Sequence, residues 1–554
     1  MFLLALVALI AACGKPQEDT PFSEEAQAAA ATINSDQLRQ WVATLSDDAM
    51  EGRGPGSAGD AKARKYIAEQ LEAMGYQPGA ADDSWEQPFD LVGITADVPD
   101  SWIFTSADDV REYARWDQFI AGSGVQKARS EIVGAEIVFV GYGMQAPEYD
   151  WDDFKDADLD GKILLIMNND PDWDPELFAG ETRLWYGRWD YKYETAARRG
   201  AVGAIIIHTT PSAGYPFQVI QTSGTGEQFE LPAGDEPRLE VTAWMTEDTV
   251  RDLVSMTGHD LDALRESAKS RDFQPVPLGI TTSFSLRNSL NWTQSANVLG
   301  VLPGSDPDLA AEAVIYTAHH DHLGIGTPND QGDAIYNGAR DNAGGVSVVL
   351  GIAKAMAALP TAPRRSLLMA FVGAEEQGLL GSEYFARNPT VPAGRIAANI
   401  NFDSPNIWGE TSDITYIGKG KSTLDGVAQQ VADYQGRIVK PDQFPSRGMF
   451  YRSDQFNMAR IGIPALYLKE GTEFVGQPEG WGIEQINAYT SVNYHQPSDE
   501  LTDDWNFDGM VMDARFGFWA GLIIANADEM QSWNPGDEFE AARLEALEAL
   551  NSGE

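Results

Sequence analysis

Four of the six histidines in this 554-residue chain, His319, His320, His322 and His495, lie in short segments that also carry carboxylates. The first reads His319-His-Asp321-His322. It is followed by Gly338-Ala-Arg-Asp341-Asn-Ala-Gly-Gly345, Gly373-Ala-Glu375-Glu376, Asn401-Phe-Asp403 and Asn493-Tyr494-His495-Gln-Pro-Ser-Asp499. Packing gives no reason for such clustering. Imidazole nitrogen and carboxylate oxygen without thiolate make the donor set of a catalytic metal site, which keeps a position open for water. Nucleophilic catalysis has less support. There is no Gly-x-Ser-x-Gly turn, and the one cysteine is Cys13 at the N-terminus. Adjacent residues at a strand end point apart, so Glu375 and Glu376 can divide two tasks, one on a metal and one as a base. An Asp two residues after His319 shares its side of the strand and can hold the imidazole tautomer.

These residues need a scaffold that gathers them. From Asn297 onward, apolar strands (297–302, 313–318, 366–372, 395–402) alternate with helical stretches (343–359, 381–387), the pattern of an α/β sheet with helices on both faces. In such sheets functional groups collect beyond the carboxyl ends of the strands. Three of the four strands run directly into His319, Glu375-Glu376 and Asp403. Residues 130–275 read as a separate unit that offers no ligand cluster. Its buried strands include 137–143, 162–167 and 204–208. His208 ends one of them with no partner at ligand spacing, which marks it as structural. The stretch Trp185–Tyr191 reads equally as cleft wall or local core. The Gly-rich run Glu51–Gly59 lacks the Lys and Ser/Thr of a phosphate loop and reads as a turn.

Composition narrows the class. Asp and Glu number 84 against 39 Lys and Arg, a net charge of −45, which speaks against a nucleic-acid partner. An apolar run from Phe2 to Ala12 is too short to span a bilayer and suits a signal peptide (residues 1–12). It ends in Ile10-Ala-Ala-Cys13-Gly, similar to a bacterial lipobox. Lipid on Cys13 would make the chain a periplasmic or outer-membrane lipoprotein, with 13–35 as its tether and the anchor its only membrane contact. The remaining expected divisions are 36–129 as the N-terminal part of the catalytic domain, 276–535 as its bulk, and 536–554 as an exposed acidic helical tail.

The chain resembles peptidase family M28, the co-catalytic zinc aminopeptidases of the bacterial leucyl and Streptomyces type, over roughly 35–533. Five motifs stand in family order: His-x-Asp, Asp-Asn-Ala-Gly, Ala-Glu-Glu-x-Gly-Leu-x-Gly-Ser, Asn-Phe-Asp and Tyr-His-x-Pro-x-Asp. The resemblance implies a three-layer α/β/α domain with a mostly parallel mixed sheet, and a protease-associated (PA) domain inserted at 130–275. It implies two Zn2+ per chain, one on His319 and Asp403, the other on Glu376 and His495, with Asp341 bridging. It further implies Glu375 as general base, Asp321 as the carboxylate behind His319, Tyr494 as an oxyanion donor and a cis bond between Asp341 and Asn342. Arg452, in an Arg-Ser-Asp motif that is also family-like, is a candidate for peptide binding and equally for a structural ion pair. His320 and His322 are expected as pocket wall. The implied activity is removal of N-terminal residues from peptides. Alternatives are a carboxypeptidase of the same clan, which needs clustered arginines where only Arg340, Arg447 and Arg452 lie near the motifs, and a non-catalytic receptor of this fold.

Overall fold

The computed structural model describes residues 21–174 and 177–552. The signal segment and Cys13 lie outside the described residues. Two sheet regions share one pair of long strands. β1 (Glu86–Asp97) and β2 (Val276–Leu302) run antiparallel, with Glu86 opposite Val298 and Asp97 opposite Arg287. The last residues of β2 enter the central sheet, beside β4 (Ser366–Val372). From there β3 (Ala313–His319), β5 (Ile396–Phe402) and β8 (Ala465–Glu470) follow in parallel. β6 (Asp413–Ile417) then pairs antiparallel with β8, and β7 (Ile438–Lys440) parallel with β6.

The strands are apolar throughout because both faces are covered. Val314, Tyr316, Leu367, Met369 and Phe371 point into one hydrophobic layer, while Ala313, Ile315, Leu368 and Ala370 point into the other. The helices Gly345–Ala357 and Asp508–Asn526 cover the first face, and Leu380–Arg387 with Gln455–Arg460 the second. The helix at 508–526 lies against the strands because it carries glycine where they touch. A Cβ on Gly521 would fall 1.6 Å from the Tyr316 hydroxyl, and one on Gly517 2.5 Å from the Phe402 ring.

The second region has four parallel strands, Arg129–Phe139, Ile163–Met167, Gly203–His208 and Val241–Thr246, with Phe119–Ser123 antiparallel at the edge. Its core starts earlier than residue 130. Trp102, Phe104, Tyr113 and Phe119 pack with Ile137, Ile205, Phe284 and Leu286. The short alternating strands at 101–114 belong with this core, and no change of composition marks that in the sequence.

Two terminal segments differ from expectation. The Ala-rich stretch within the expected tether contains a helix, Glu24–Ala30, capped by Ser23 and buried through Ala26, Ala29 and Ala30. Phe22 stacks on Tyr434 at 3.9 Å, with its edge to Trp519. Alanine gives a weak apolar signal, but it fits a helix closely against another surface. The C-terminal helix Glu540–Ser552 is docked rather than free. Phe539 is buried, and buried Arg543 donates to the carbonyls of Ala393, Ile396 and Gln531.

Candidate metal centre

The five candidate ligands converge beyond the carboxyl ends of β3, β4 and β5. Asp341 stands between two histidines. Its Oδ1 lies 3.2 Å from His319 Nε2 and its Oδ2 3.5 Å from His495 Nε2. Asp403 Oδ1 is 3.6 Å from His319 Nε2, and Glu376 Oε2 is 2.9 Å from His495 Nε2. Glu375 Oε2 sits 3.9 Å from His319 Nε2. Each oxygen of Asp341 thus faces a different imidazole, and each imidazole has a second carboxylate of its own.

The local folding that produces this geometry is specific. The Asp341-Asn342 peptide is cis, in accord with the resemblance. Asn342 ties two loops together: its amide donates to Phe402 O, and its carbonyl accepts from the backbone of Gly345 and Ser404. Gly345 has no room for a side chain, since a Cβ there would sit 2.1 Å from Asn342 Oδ1. Asp499, the last residue of the His495 motif, accepts from the backbone N–H groups of Arg340 and Asp341. Arg340 itself is buried between the rings of Trp408 and Tyr489 and paired with Glu470 at 2.6 Å.

Asp321 serves different partners from the one implied. Its carboxylate is 3.8 Å from His319 Nδ1, too far for a hydrogen bond, and accepts instead from the backbone N–H of Glu375 at 3.0 Å and Glu376 at 3.3 Å. The His319 ring faces the Asp321 carbonyl oxygen at 3.3 Å. Asp321 therefore fixes the turn that splits the two glutamates. His320 pairs with buried Asp60 at 3.0 Å, which takes it out of the ligand set. His322 is more than pocket wall, since its Nδ1 lies 2.5 Å from Glu376 Oε1. Tyr494 stacks on His495 with ring centroids 3.9 Å apart.

Arg53 is the residue that sequence reasoning missed. Its guanidinium is buried and donates to four main-chain carbonyls, Leu45, His320, Asn337 and Gly338. It clamps the loops that carry His319 and Asp341. Burial lowers its pKa to about 10, against the pull of Asp321, Asp499, Asp341 and Glu376. The Gly-rich run is indeed a turn, and Gly52 is required in it. Its φ is +62°, and a Cβ would lie 2.5 Å from the carbonyls of Gly324 and Tyr336.

The electrostatics suit cations. Asp321, Asp341, Glu375, Glu376 and Asp403 are gathered around His319 and His495 in a buried site. Burial raises Glu375 well above the usual carboxylate range, with Glu376, Asp454 and Asp403 adding to the shift. Against burial, the histidines hold Asp341 well below that range, and His495 holds Glu376 at about 2. His319 Nε2 and Glu376 Oε1 are buried and lack a well-formed hydrogen bond. Donor atoms of His319, Asp341 and Glu376, and of His319, Glu375 and Asp403, lie within 4.8 Å of one another, close enough to share an ion. Convergent buried donors and surplus negative charge fit divalent metal.

Arg452 lies apart from these donors. It is half-buried, donates to Ala213 O at 2.5 Å and faces the ring of Tyr215. His208 bonds Tyr215 O at 3.2 Å and is structural. Trp185 packs on Phe456 of the central domain, so the aromatic stretch is core between the two regions.

Comparison with known proteins gives the same picture. Residues 297–515 match peptidase family M28. The leupeptin-inactivating enzyme 1 of Streptomyces exfoliatus is 27% identical over 229 residues, 41% of this chain and 47% of that protein. Aminopeptidase YwaD of Bacillus subtilis is 27% identical over 240 residues, 42% and 45% of the two chains. The chain thus spans about half the length of the curated relatives it matches. An aminopeptidase structure from Aneurinibacillus sp. strain AM-1 shares the fold at a TM-score of 0.53 and 19% identity, over 92% of this chain and 97% of that one.

Proposed function

We propose that this chain, which resembles family M28 across 297–515, is a two-metal aminopeptidase. The observation that carries the reading is Asp341, with one carboxylate oxygen toward His319 and the other toward His495. His319 and Asp403 would hold one ion, Glu376 and His495 the second, and Asp341 both. Zinc suits these nitrogen and oxygen donors. Two divalent ions so held supply Lewis acidity and water of lowered pKa at neutral pH.

The rest of the chemistry belongs to the chain. Glu375 accepts the proton of the attacking water and returns it to the departing amine. Asp321 keeps Glu375 and Glu376 apart through their amides, so that base and ligand do not exchange places. Tyr494 donates to the oxygen that gains charge as the carbonyl is attacked. The second region walls the cleft and limits which peptides enter. Phe229 N–H bonds Gln377 beside the glutamate pair, and Gln218 bonds Gln496 beside His495. Lipid on Cys13 would tether the enzyme to a bacterial envelope membrane.

The test is a panel of aminoacyl-arylamides beside N-acetylated peptides, with and without chelator. Cleavage of free N-termini alone, abolished by chelator, is expected. Equal cleavage of blocked peptides, or indifference to chelator, would refute the reading.

A further inference from the structure

Of the residues that follow β3, His319 faces the carboxylates and Asp321 accepts from the amides of Glu375 and Glu376. His320, between them, meets Asp60 instead. Its Nε2 lies 3.0 Å from Asp60 Oδ1, and both residues are fully buried. The His320 backbone is fixed on both sides, its N–H donating to Val372 O at 2.9 Å and its carbonyl accepting from Arg53 at 2.7 Å. The ring is held differently. Its Nδ1 is buried with no hydrogen-bond partner, so among the described residues Asp60 alone sets the direction of the imidazole.

Asp60 is itself anchored. It stands in the first turn of the helix Ala58–Ala73, where its Oδ2 accepts from the Gly56 N–H and its Oδ1 from Arg64 Nε, both at 3.0 Å. Against burial, His320, Arg64 and Gly56 hold its pKa below the ordinary carboxylate value. An ionised carboxylate only accepts, so the imidazole carries its proton on Nε2. The ring so directed lies against the turn that carries Glu375. A Cβ on Gly373 would sit 3.0 Å from His320 Cε1 and 2.9 Å from Ser295 Oγ. The next residue, Ala374, is left-handed at φ +57° and buried against Phe89, Leu91 and Leu380. A residue with a side chain keeps that conformation only where its surroundings enforce it. Glu375 follows directly. Its turn is held by Asp321 through the amides and by His320 against Gly373, which has no side chain of its own to fill the space if the ring swings away.

We propose that Asp60, acting through His320, is a positioning residue for Glu375. The pair fixes the turn at Gly373 and Ala374, and with it the direction from which the base meets the attacking water. It touches neither the metal donors nor the peptide, so it governs the rate of the chemical step rather than the binding of either. This role rests on the reading of Glu375 as the general base.

The experiment uses the metal-loaded full chain, wild type and with Asp60→Asn, His320→Gln, His320→Leu, and Asp60→Asn combined with His320→Gln. It measures kcat and KM for leucine arylamide, zinc per chain, and amide hydrogen exchange over 373–379, all well below the unfolding midpoint of each variant. Asp60→Asn should lower kcat about 10–100-fold, the scale of a displaced catalytic group, with KM and zinc unchanged and exchange over 373–379 faster. His320→Gln keeps a donor toward Asp60 and should retain more activity than His320→Leu. The combined variant should fall no further than the less active of its parents, because residues of one network do not add. Unchanged kcat in folded Asp60→Asn, additive losses in the combined variant, or zinc lost in step with activity overturns the proposal. Gly373→Ala, which presses on the ring from the other side, serves if the buried-pair variants do not fold. It should lower kcat in the same way, and an unchanged kcat there overturns the proposal too. A wild-type chain that cleaves no arylamide refutes the hydrolase, and faster exchange over 373–379 in the variants then still upholds the link from Asp60 to the turn. Normal hydrolysis with kcat and exchange unmoved in the variants does the reverse.

Discussion

Two regions of this molecule bury several ionisable groups, and they resolve the problem differently. In the second region Lys192 lies with Asp153 and Asp170, all fully buried. Each of these three groups has internal partners. Lys192 donates to the carbonyls of Tyr142 and Asn169, Asp153 accepts from Met144 and Trp151, and Asp170 accepts from Leu184. Burial moves the lysine and the carboxylates toward each other, to about 7 for Lys192 and Asp153 and about 6 for Asp170. At the candidate metal centre acids outnumber bases, donor atoms converge within 4.8 Å of one another, and His319 Nε2 and Glu376 Oε1 lack a well-formed hydrogen bond. Buried charge closed by its own partners is architecture. Buried charge whose donors converge is a binding site.

The comparison can be broken at either region. The largest effect is expected at the metal centre, where Glu375→Gln should cut kcat by about 10²–10⁴ while both metals stay bound. Glu376→Gln should lose metal as well as activity. Zinc per chain and kcat for the two variants decide the matter, and the opposite pattern would exchange base and ligand. Next comes Lys192→Met, which strands two buried carboxylates and should cost about 3–5 kcal/mol in denaturant unfolding. Its metal content should not change, and a loss of metal would mean the two regions are not separable.

A smaller effect is expected at Arg53, whose five donors a lysine cannot replace. Arg53→Lys should weaken metal binding about 10–100-fold in a chelator competition, as loss of outer support usually does. The smallest concerns His208, which burial lowers to about 4 from an ordinary 6.5. The folded state binds this proton less readily than the unfolded chain. Its contribution is therefore complete above pH 6.5 and lost as pH falls toward 4, by at most about 1.4 kcal/mol per pH unit. His208→Gln should flatten stability over that window and leave activity at pH 7.5 untouched.

The convergence of the candidate ligands is legible in the sequence because they sit at strand ends, and strand ends can be found by counting apolar residues. Its supports were not. Arg53 bonds only main-chain carbonyls, which carry no sequence signal, and Asp60 meets His320 across 260 positions. Asp321 showed its type but not its partners, because backbone amides rather than the imidazole fill its oxygens. The start of the second core is hidden in the sequence for a similar reason. β2 runs for 27 residues through both regions, and a periodic strand gives no sign of where one core ends and the next begins. The helix at Glu24–Ala30 was hidden by its alanines, which became informative only against the surface they fit.

The central claim is that His319, Asp341, Glu376, Asp403 and His495 hold two catalytic ions. It is tested most directly by stripping the chain with chelator and titrating Zn2+ back while following cleavage of leucine arylamide. The account predicts no activity in the stripped chain, and a rise that levels off at two equivalents per chain. Activity without metal, or a plateau at one equivalent, would contradict it.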